Sequence, residues 1–353
     1  MSTSISSIAP VEVAPLGVAE GMSTAAATKN RLALLDTVRL IAAIGIVWIH
    51  AATSPLGQSL YPIGMFGVPF YIFVALLFTG RALSRDPSLS LLSYAGSRFF
   101  RIYLPFLFWT VIYTLLGDVK ARISHEPVPG LEWSLLYAGG YTHLWFLPYL
   151  MGVTLLGATI FRLTEKRSTL RTTCTLLFVG LGVAACFLHE PRWIAQRHDD
   201  DAYFWHYAFR ALPAACWSIA LMLWSVRGGK LPRSNTVFAV CGAMMLATAV
   251  VLATLDTPTP LFRAMGGFGC IAIALLPLAS PLIARIGWLG RYSYGIYLAH
   301  VAFLRVILIA NTHLHAPTSI AMDIASFVLA FVGASALSVL LSRSAWTRWT
   351  VGE

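Results

Sequence analysis

Apolar residues fill this chain in long, nearly unbroken runs, separated by short segments that hold most of its charge. Ten runs stand out, near 33–53, 61–80, 101–117, 143–161, 170–188, 206–226, 235–255, 261–283, 290–311 and 318–342. Each approaches the roughly 20 residues that a helix needs to cross a bilayer. The expected fold class is all-α: a polytopic membrane bundle of about ten transmembrane helices. The same pattern predicts one membrane domain over 31–345, with a disordered N-terminal tail at 1–30 and a short C-terminal tail at 346–353. The first segment is rich in Ser, Ala, Thr, Pro and Gly, and it lacks the basic and compact apolar regions of a signal peptide. The longest segments between runs are 118–142 and 189–205.

Composition supports this reading. Hydrophobic residues make up 58% of the 353 and charged residues 11%, against about 25% charged in soluble domains. Mean hydropathy is +0.73. A net charge of +10 invites a nucleic-acid reading, but the basic residues are scattered through short loops, so nucleic acid is not an expected partner. Assigned to alternate sides of ten spans, 18 of the 25 Lys and Arg fall on one side and 7 on the other. The positive-inside rule then places both termini in the cytoplasm. The five cysteines, Cys174, Cys186, Cys216, Cys241 and Cys270, all lie in apolar runs without a CxxC spacing. They read as packing residues, not disulfides or metal ligands.

Candidate chemistry begins in the first run, Leu34 to Ala51, where Arg39 and His50 interrupt apolar sequence. Eleven positions is three helical turns plus about 20°, so both project from one face about 16 Å apart along the axis. Titratable groups at membrane depth are expensive and usually face a bundle interior or pathway. Taken singly, Arg39 marks the cytoplasmic end and His50 is a buried polar contact; as a pair on one face they favour function. Asp36 lies about 21 Å from His50, too far to orient it, and is placed to pair with Arg39. At the start of the third span, Arg98 and Arg101 are three residues apart and share a helix face. They are either cytoplasmic anchors or, with Arg39, a cradle for a polyphosphate donor. In Thr142-His143-Leu144-Trp145-Phe146, the aromatic residues suit an interfacial belt, and His143 either caps the helix or joins His50 at an outer site. In the run from Gly290 to His300, Tyr294 and Tyr297 read as packing groups, Arg291 and His300 point to opposite sides, and His300 is a buried polar residue with no nameable partner. Gly64 to Gly80, with Pro69 inside, suits close helix approach or a broken helix. His198 with Asp199, Asp200 and Asp201 reads as a solvated acidic loop, as do His313 and His315 as loop residues. HExxH, Walker and GxSxG motifs are absent.

These blocks resemble acyltransferase family 3, the integral membrane O-acyltransferases. An Arg, ten residues and a His (Arg39, His50) are similar to its first-span signature. Arg98-Phe99-Phe100-Arg101 resembles its third-span R-x-x-R motif, and HLWFL at 143–147 and RYSYGIYLAH at 291–300 resemble later blocks. The order of the blocks covers most of 33–342. The resemblance implies a multi-pass protein of the bacterial inner membrane, in contact with membrane lipids. It implies transfer of an acyl group, commonly acetyl from cytoplasmic acetyl-CoA, to a sugar hydroxyl. His50 would be the essential histidine, Arg39, Arg98 and Arg101 would support donor binding, and His143, Trp145, Tyr297 and His300 would lie on the acceptor side, with no metal. The chain carries no fused hydrolase-like domain and has LLFTG at 76–80 where the family pattern suggests a Ser-Gly pair. In its single-domain form it is similar to members of the xanthan type that decorate exopolysaccharide repeats, or to those that act on periplasmic glucans. Such an acceptor is lipid-linked or polymeric, and glycan assembly and export machinery would be the expected partner.

An imidazole with an ordinary pKa near 6.5 can take a proton from a sugar hydroxyl at neutral pH. A covalent acyl-histidine is the other route, and the residues do not separate them. Two further readings stand beside the enzyme: a secondary transporter coupled through intramembrane His and Arg, and a structural partner of a glycan export complex. No internal repeat of the kind common in transporters is visible.

Overall fold

A computed structural model describes residues 18–123, 125, 130, 132–195, 200–226, 236–255, 259–278, 280–313 and 318–352. The expected loop residues His198, Asp199 and His315 lie outside the described residues. Among the described residues every regular element is helical, the long ones in the order α1 Val18–Ala51, α2 Gly67–Arg85, α3 Leu91–Arg98, α4 Leu104–Ile123, α5 Phe146–Thr164, α6 Ser168–Phe187, α7 Asp200–Ser225, α8 Thr236–Ala253, α9 Thr259–Ala274, α10 Pro281–Gly290, α11 Ser293–His313 and α12 Ile320–Arg343. Short turns of helix at Pro55–Ser59, Tyr61–Gly64, Trp133–Leu136, Thr142–Trp145 and Arg348–Val351 join or follow them. Among the described residues, nine helical segments are long and apolar enough to cross a membrane. The all-α polytopic bundle is therefore what the runs encode.

The central post is α2, which packs against α1, α5, α7 and α9. Phe70, Ile72, Phe73, Leu76 and Leu77 are fully or almost fully buried, so its sequence is apolar on all sides, as a surrounded helix requires. Pro69 sits in its first turn, where a missing N–H is tolerated; the helix is unbroken. Close approach occurs just before it. A Cβ on Gly64 would lie 2.4 Å from the Gly45 carbonyl oxygen of α1, so the Tyr61–Gly64 turn can press against α1 only because both positions are glycine.

Three departures from the sequence reading have local causes. The helix α1 begins at Val18, ahead of the first apolar run. Alanine-rich sequence propagates readily from a helix already nucleated. The run 261–283 is divided. The helix α9 stops at Ala274, Pro277 cannot continue it, and α10 restarts at Pro281 with the Ser280 side chain accepting the Ile283 N–H at 3.1 Å. A Cβ on Gly290 would collide with the Asp36 carbonyl oxygen, which shows how closely α10 lies on α1. Finally, the C-terminal residues 348–351 pack into the bundle. Trp109 Nε1 donates to the Thr350 carbonyl at 2.9 Å, and Trp349 meets Phe108 edge-on at 5.4 Å.

Candidate active site

Three histidines converge where α1 ends. His50 is the penultimate residue of α1, His143 lies in the Thr142–Trp145 turn, and His300 is the eighth residue of α11. The His50 ring centroid is 5.2 Å from that of His300 and 6.0 Å from that of His143, and the latter two are 5.3 Å apart. His300 is 0% and His143 4% exposed, whereas His50 is only half-buried. It faces a pocket of about 690 Å³ that His143, Trp145, Tyr297, Arg210 and Arg263 also line. Trp145 stacks on Tyr207 at 5.5 Å, so it is part of the pocket wall.

Hydrogen bonds fix the cluster from behind. His300 Nδ1 lies 2.7 Å from the Tyr297 carbonyl. A carbonyl only accepts, so Nδ1 carries the proton and Nε2 is the acceptor. That Nε2 is buried with no partner, as are both ring nitrogens of His143. The Tyr297 hydroxyl donates to the His143 carbonyl, so it fixes the backbone of that residue while its ring lines the pocket. The Tyr113 hydroxyl donates to the Leu298 carbonyl at 2.5 Å and accepts from Ala302 N–H at 3.2 Å. It thus bridges two groups that a helix pairs four residues apart, and its ring lies 5.0 Å from His143. Beyond His50 the chain turns sharply, and Asp323 at the start of α12 holds that turn. Its carboxylate accepts the N–H and hydroxyl of both Thr53 and Ser54.

The arginines of the other end gather around α2. Arg39 lies 3.2 Å from Asp36 and 5.6 Å over the Phe78 ring, and Arg81 approaches the same ring at 5.9 Å. Arg98 lies 5.0 Å over Tyr94, whose hydroxyl is 2.6 Å from Thr79 Oγ1. The Nε atoms of Arg39, Arg81 and Arg98 are buried without partners. Arg101 stands apart and exposed. Residues Phe99–Tyr103 form a π turn, which rotates less per residue than an α-helix, so Arg98 and Arg101 do not share the face that α-helical spacing implied.

The structure therefore brings His50, His143 and His300 together, sets Trp145 and Tyr297 on the same pocket wall, and collects Arg39 and Arg98 near one another's α2 contacts. Asp36 pairs with Arg39 as the spacing suggested. Sequence reasoning missed Asp323, Arg81, Arg210 and Arg263 as members of these groups. Asp323 had a signal, a lone carboxylate in the apolar run 318–342. Arg81 had none, since its position fits the charge bias, and Arg210 and Arg263 had only their place on the side with fewer basic residues. No group of His, Cys, Asp and Glu among the described residues is arranged to hold a metal ion.

Compared with protein-family models, residues 32–343 match the model described as an acyltransferase domain, acyltransferase family 3. Compared with curated proteins, the chain gives no match.

Proposed function

Since the chain belongs to acyltransferase family 3 and is a multi-pass membrane acyltransferase, we propose that it moves an acetyl group from cytoplasmic acetyl-CoA to a sugar hydroxyl of an exopolysaccharide repeat or other envelope glycan at a bacterial inner membrane. The observation that carries this reading is the setting of His50. It is the half-buried histidine of the three, it opens onto the pocket, and it lies eleven residues along α1 from the arginine-rich end. Arg39, Arg81 and Arg98 suit the anionic head of the donor, and Arg101, exposed and apart from them, suits its first encounter at the surface. A neutral His50 nitrogen accepts the proton of the acceptor hydroxyl as its oxygen attacks the thioester carbonyl carbon. The C–O bond forms, the C–S bond breaks, and the thiolate leaves and recovers the proton from the imidazolium. In the two-step variant, His50 itself is acylated and then relieved by the hydroxyl.

The test uses His50→Ala at matched protein levels. Thiol release from acetyl-CoA by the purified protein with glycan acceptor should fall by about 10²–10⁴-fold, and the O-acetyl proton signals of the host's glycans should vanish. Persistent acetylation in that variant would remove His50 from the chemistry. A wild-type protein that consumes no acyl-CoA would fit a transporter instead.

A further inference from the structure

The pocket above His50 holds charge that the proposed acetyl transfer leaves without a task. Arg263, the fifth residue of α9, and Arg210, in the first half of α7, line it together with His50. By the charge bias of the loops both helices enter the membrane from the side with fewer Lys and Arg, and His50 beside them lies about 16 Å along α1 from Arg39. A donor arriving from the cytoplasm meets Arg39, Arg81 and Arg98 first, so this outer pair is left for the second substrate.

The two arginines differ in how they are compensated. Arg210 lies 3.7 Å from Glu190, and the same carboxylate binds His206 Nδ1 at 2.5 Å. Arg263 has no carboxylate partner among the described residues, and its Nε is buried without a hydrogen bond. Of the two guanidinium groups at the pocket only Arg210 has a carboxylate beside it, so among the described residues the charge of Arg263 is uncompensated. An ionisable group at membrane depth is expensive and persists where it meets a partner. Among the described residues no carboxylate supplies that partner to Arg263. A planar guanidinium is matched to a carboxylate or phosphate, which it binds through paired N–H groups.

We propose that the acceptor is an anionic sugar, whose carboxylate or attached phosphate is held by Arg263 and Arg210 while a hydroxyl is presented to His50. The role of His50 in this statement rests on the acyl-transfer reading; the anion site does not. It makes Arg263 and Arg210 specificity residues, and the aromatic wall of Trp145, Tyr207 and Tyr61 the surface along which the sugar lies.

The experiment is a ligand titration by NMR on the purified full-length protein in detergent, with glucuronate, glucose 1-phosphate and glucose as probes. At least one anionic probe should bind at least about tenfold tighter than glucose, the strength of one charge-assisted hydrogen-bonded contact. The preference should disappear in Arg263→Gln, persist in weaker form in Arg263→Lys, and increase in Glu190→Gln, which frees Arg210. The tighter of the two anions identifies the source, a sugar carboxylate or a carrier phosphate. Equal binding of glucose, no binding of either anion, or a preference that survives Arg263→Gln overturns the proposal. Should Arg263→Gln fail to yield folded protein, Glu190→Gln decides alone, and an unchanged preference there is fatal. Acetyl-CoA turnover is measured separately: anion preference without turnover upholds this site and removes the acyl-transfer reading.

Discussion

Asp323 offers a clean test of how the site is built, because one carboxylate holds the turn that ends α1. It is 1% exposed and accepts from Thr53 N–H at 2.9 Å, Thr53 Oγ1 at 2.8 Å, Ser54 N–H at 3.0 Å and Ser54 Oγ at 2.5 Å. Asp323→Ala removes both acceptor oxygens and with them all four hydrogen bonds. Thr53 is exposed, so water replaces what its groups lose. Ser54 is buried, and its N–H is left without a partner. A stranded buried donor costs about 1–3 kcal/mol, and a bond to a charged group contributes about 1.5–3 kcal/mol. With the Thr53 side largely rescued by water, the expected loss is about 3 kcal/mol. Asp323→Asn keeps one acceptor oxygen and should lose less than half of that. The measurements are unfolding of the detergent-purified protein and amide hydrogen exchange at Thr53 and Ser54, where Asp323→Ala should exchange faster. Because the turn begins two residues after His50, acyl transfer should fall as well, and partly recover in Asp323→Asn. Unchanged exchange at both amides, with an unchanged unfolding midpoint, would refute the claim that this carboxylate holds the turn.

Two other substitutions separate packing from substrate contact. Tyr297→Phe removes the hydroxyl that donates to the His143 carbonyl and should lower stability by about 1 kcal/mol while the KM for acceptor stays constant; a raised KM at unchanged stability would give the hydroxyl to the substrate instead. Gly64→Ala places a Cβ 2.4 Å from the Gly45 carbonyl oxygen and 2.5 Å from Ile49 Cγ2, and backbone cannot yield as a side-chain tip does. A loss of at least about 1–3 kcal/mol is expected by thermal unfolding, while Gly96→Ala, whose Cβ meets nothing within 4 Å, should be neutral or slightly stabilising.

The fold was legible because membrane spans announce themselves through length and hydropathy, quantities that a single sequence carries in full. The exceptions lie where local chemistry overrides the run. Residues 261–283 are apolar throughout most of their length, yet Pro277 and Pro281 divide them, and a hydropathy run does not register a missing N–H. The helix α1 starts at Val18, in sequence whose composition carries no hydropathy signal. The π turn at Phe99–Tyr103 lies outside any periodicity argument built on 3.6 residues, and it is the feature that parts Arg98 from Arg101.

The site was legible only where residues share an element. Arg39, Asp36 and His50 are related by helix geometry, and the structure keeps the Arg39–Asp36 pair that geometry suggested. His50, His143 and His300 are separated by 93 and 157 residues, and nothing in spacing relates α1, the Thr142–Trp145 turn and α11. Their meeting follows from packing: α1 lies between α10, α11 and α2, which brings the end of one helix against the middle of another. The arginines show a different limit. Arg210 and Arg263 were counted among seven basic residues of the outer side, where each is a small exception to the charge bias and no more. The same count that gave the orientation treats every arginine as equivalent. Only burial and the whereabouts of Glu190 distinguish them, since Glu190 lies beside Arg210 and, among the described residues, no carboxylate pairs with Arg263. In a membrane bundle, an arginine against the prevailing charge bias deserves to be followed to its partner, and where the protein provides none, the ligand's chemistry is the next place to look.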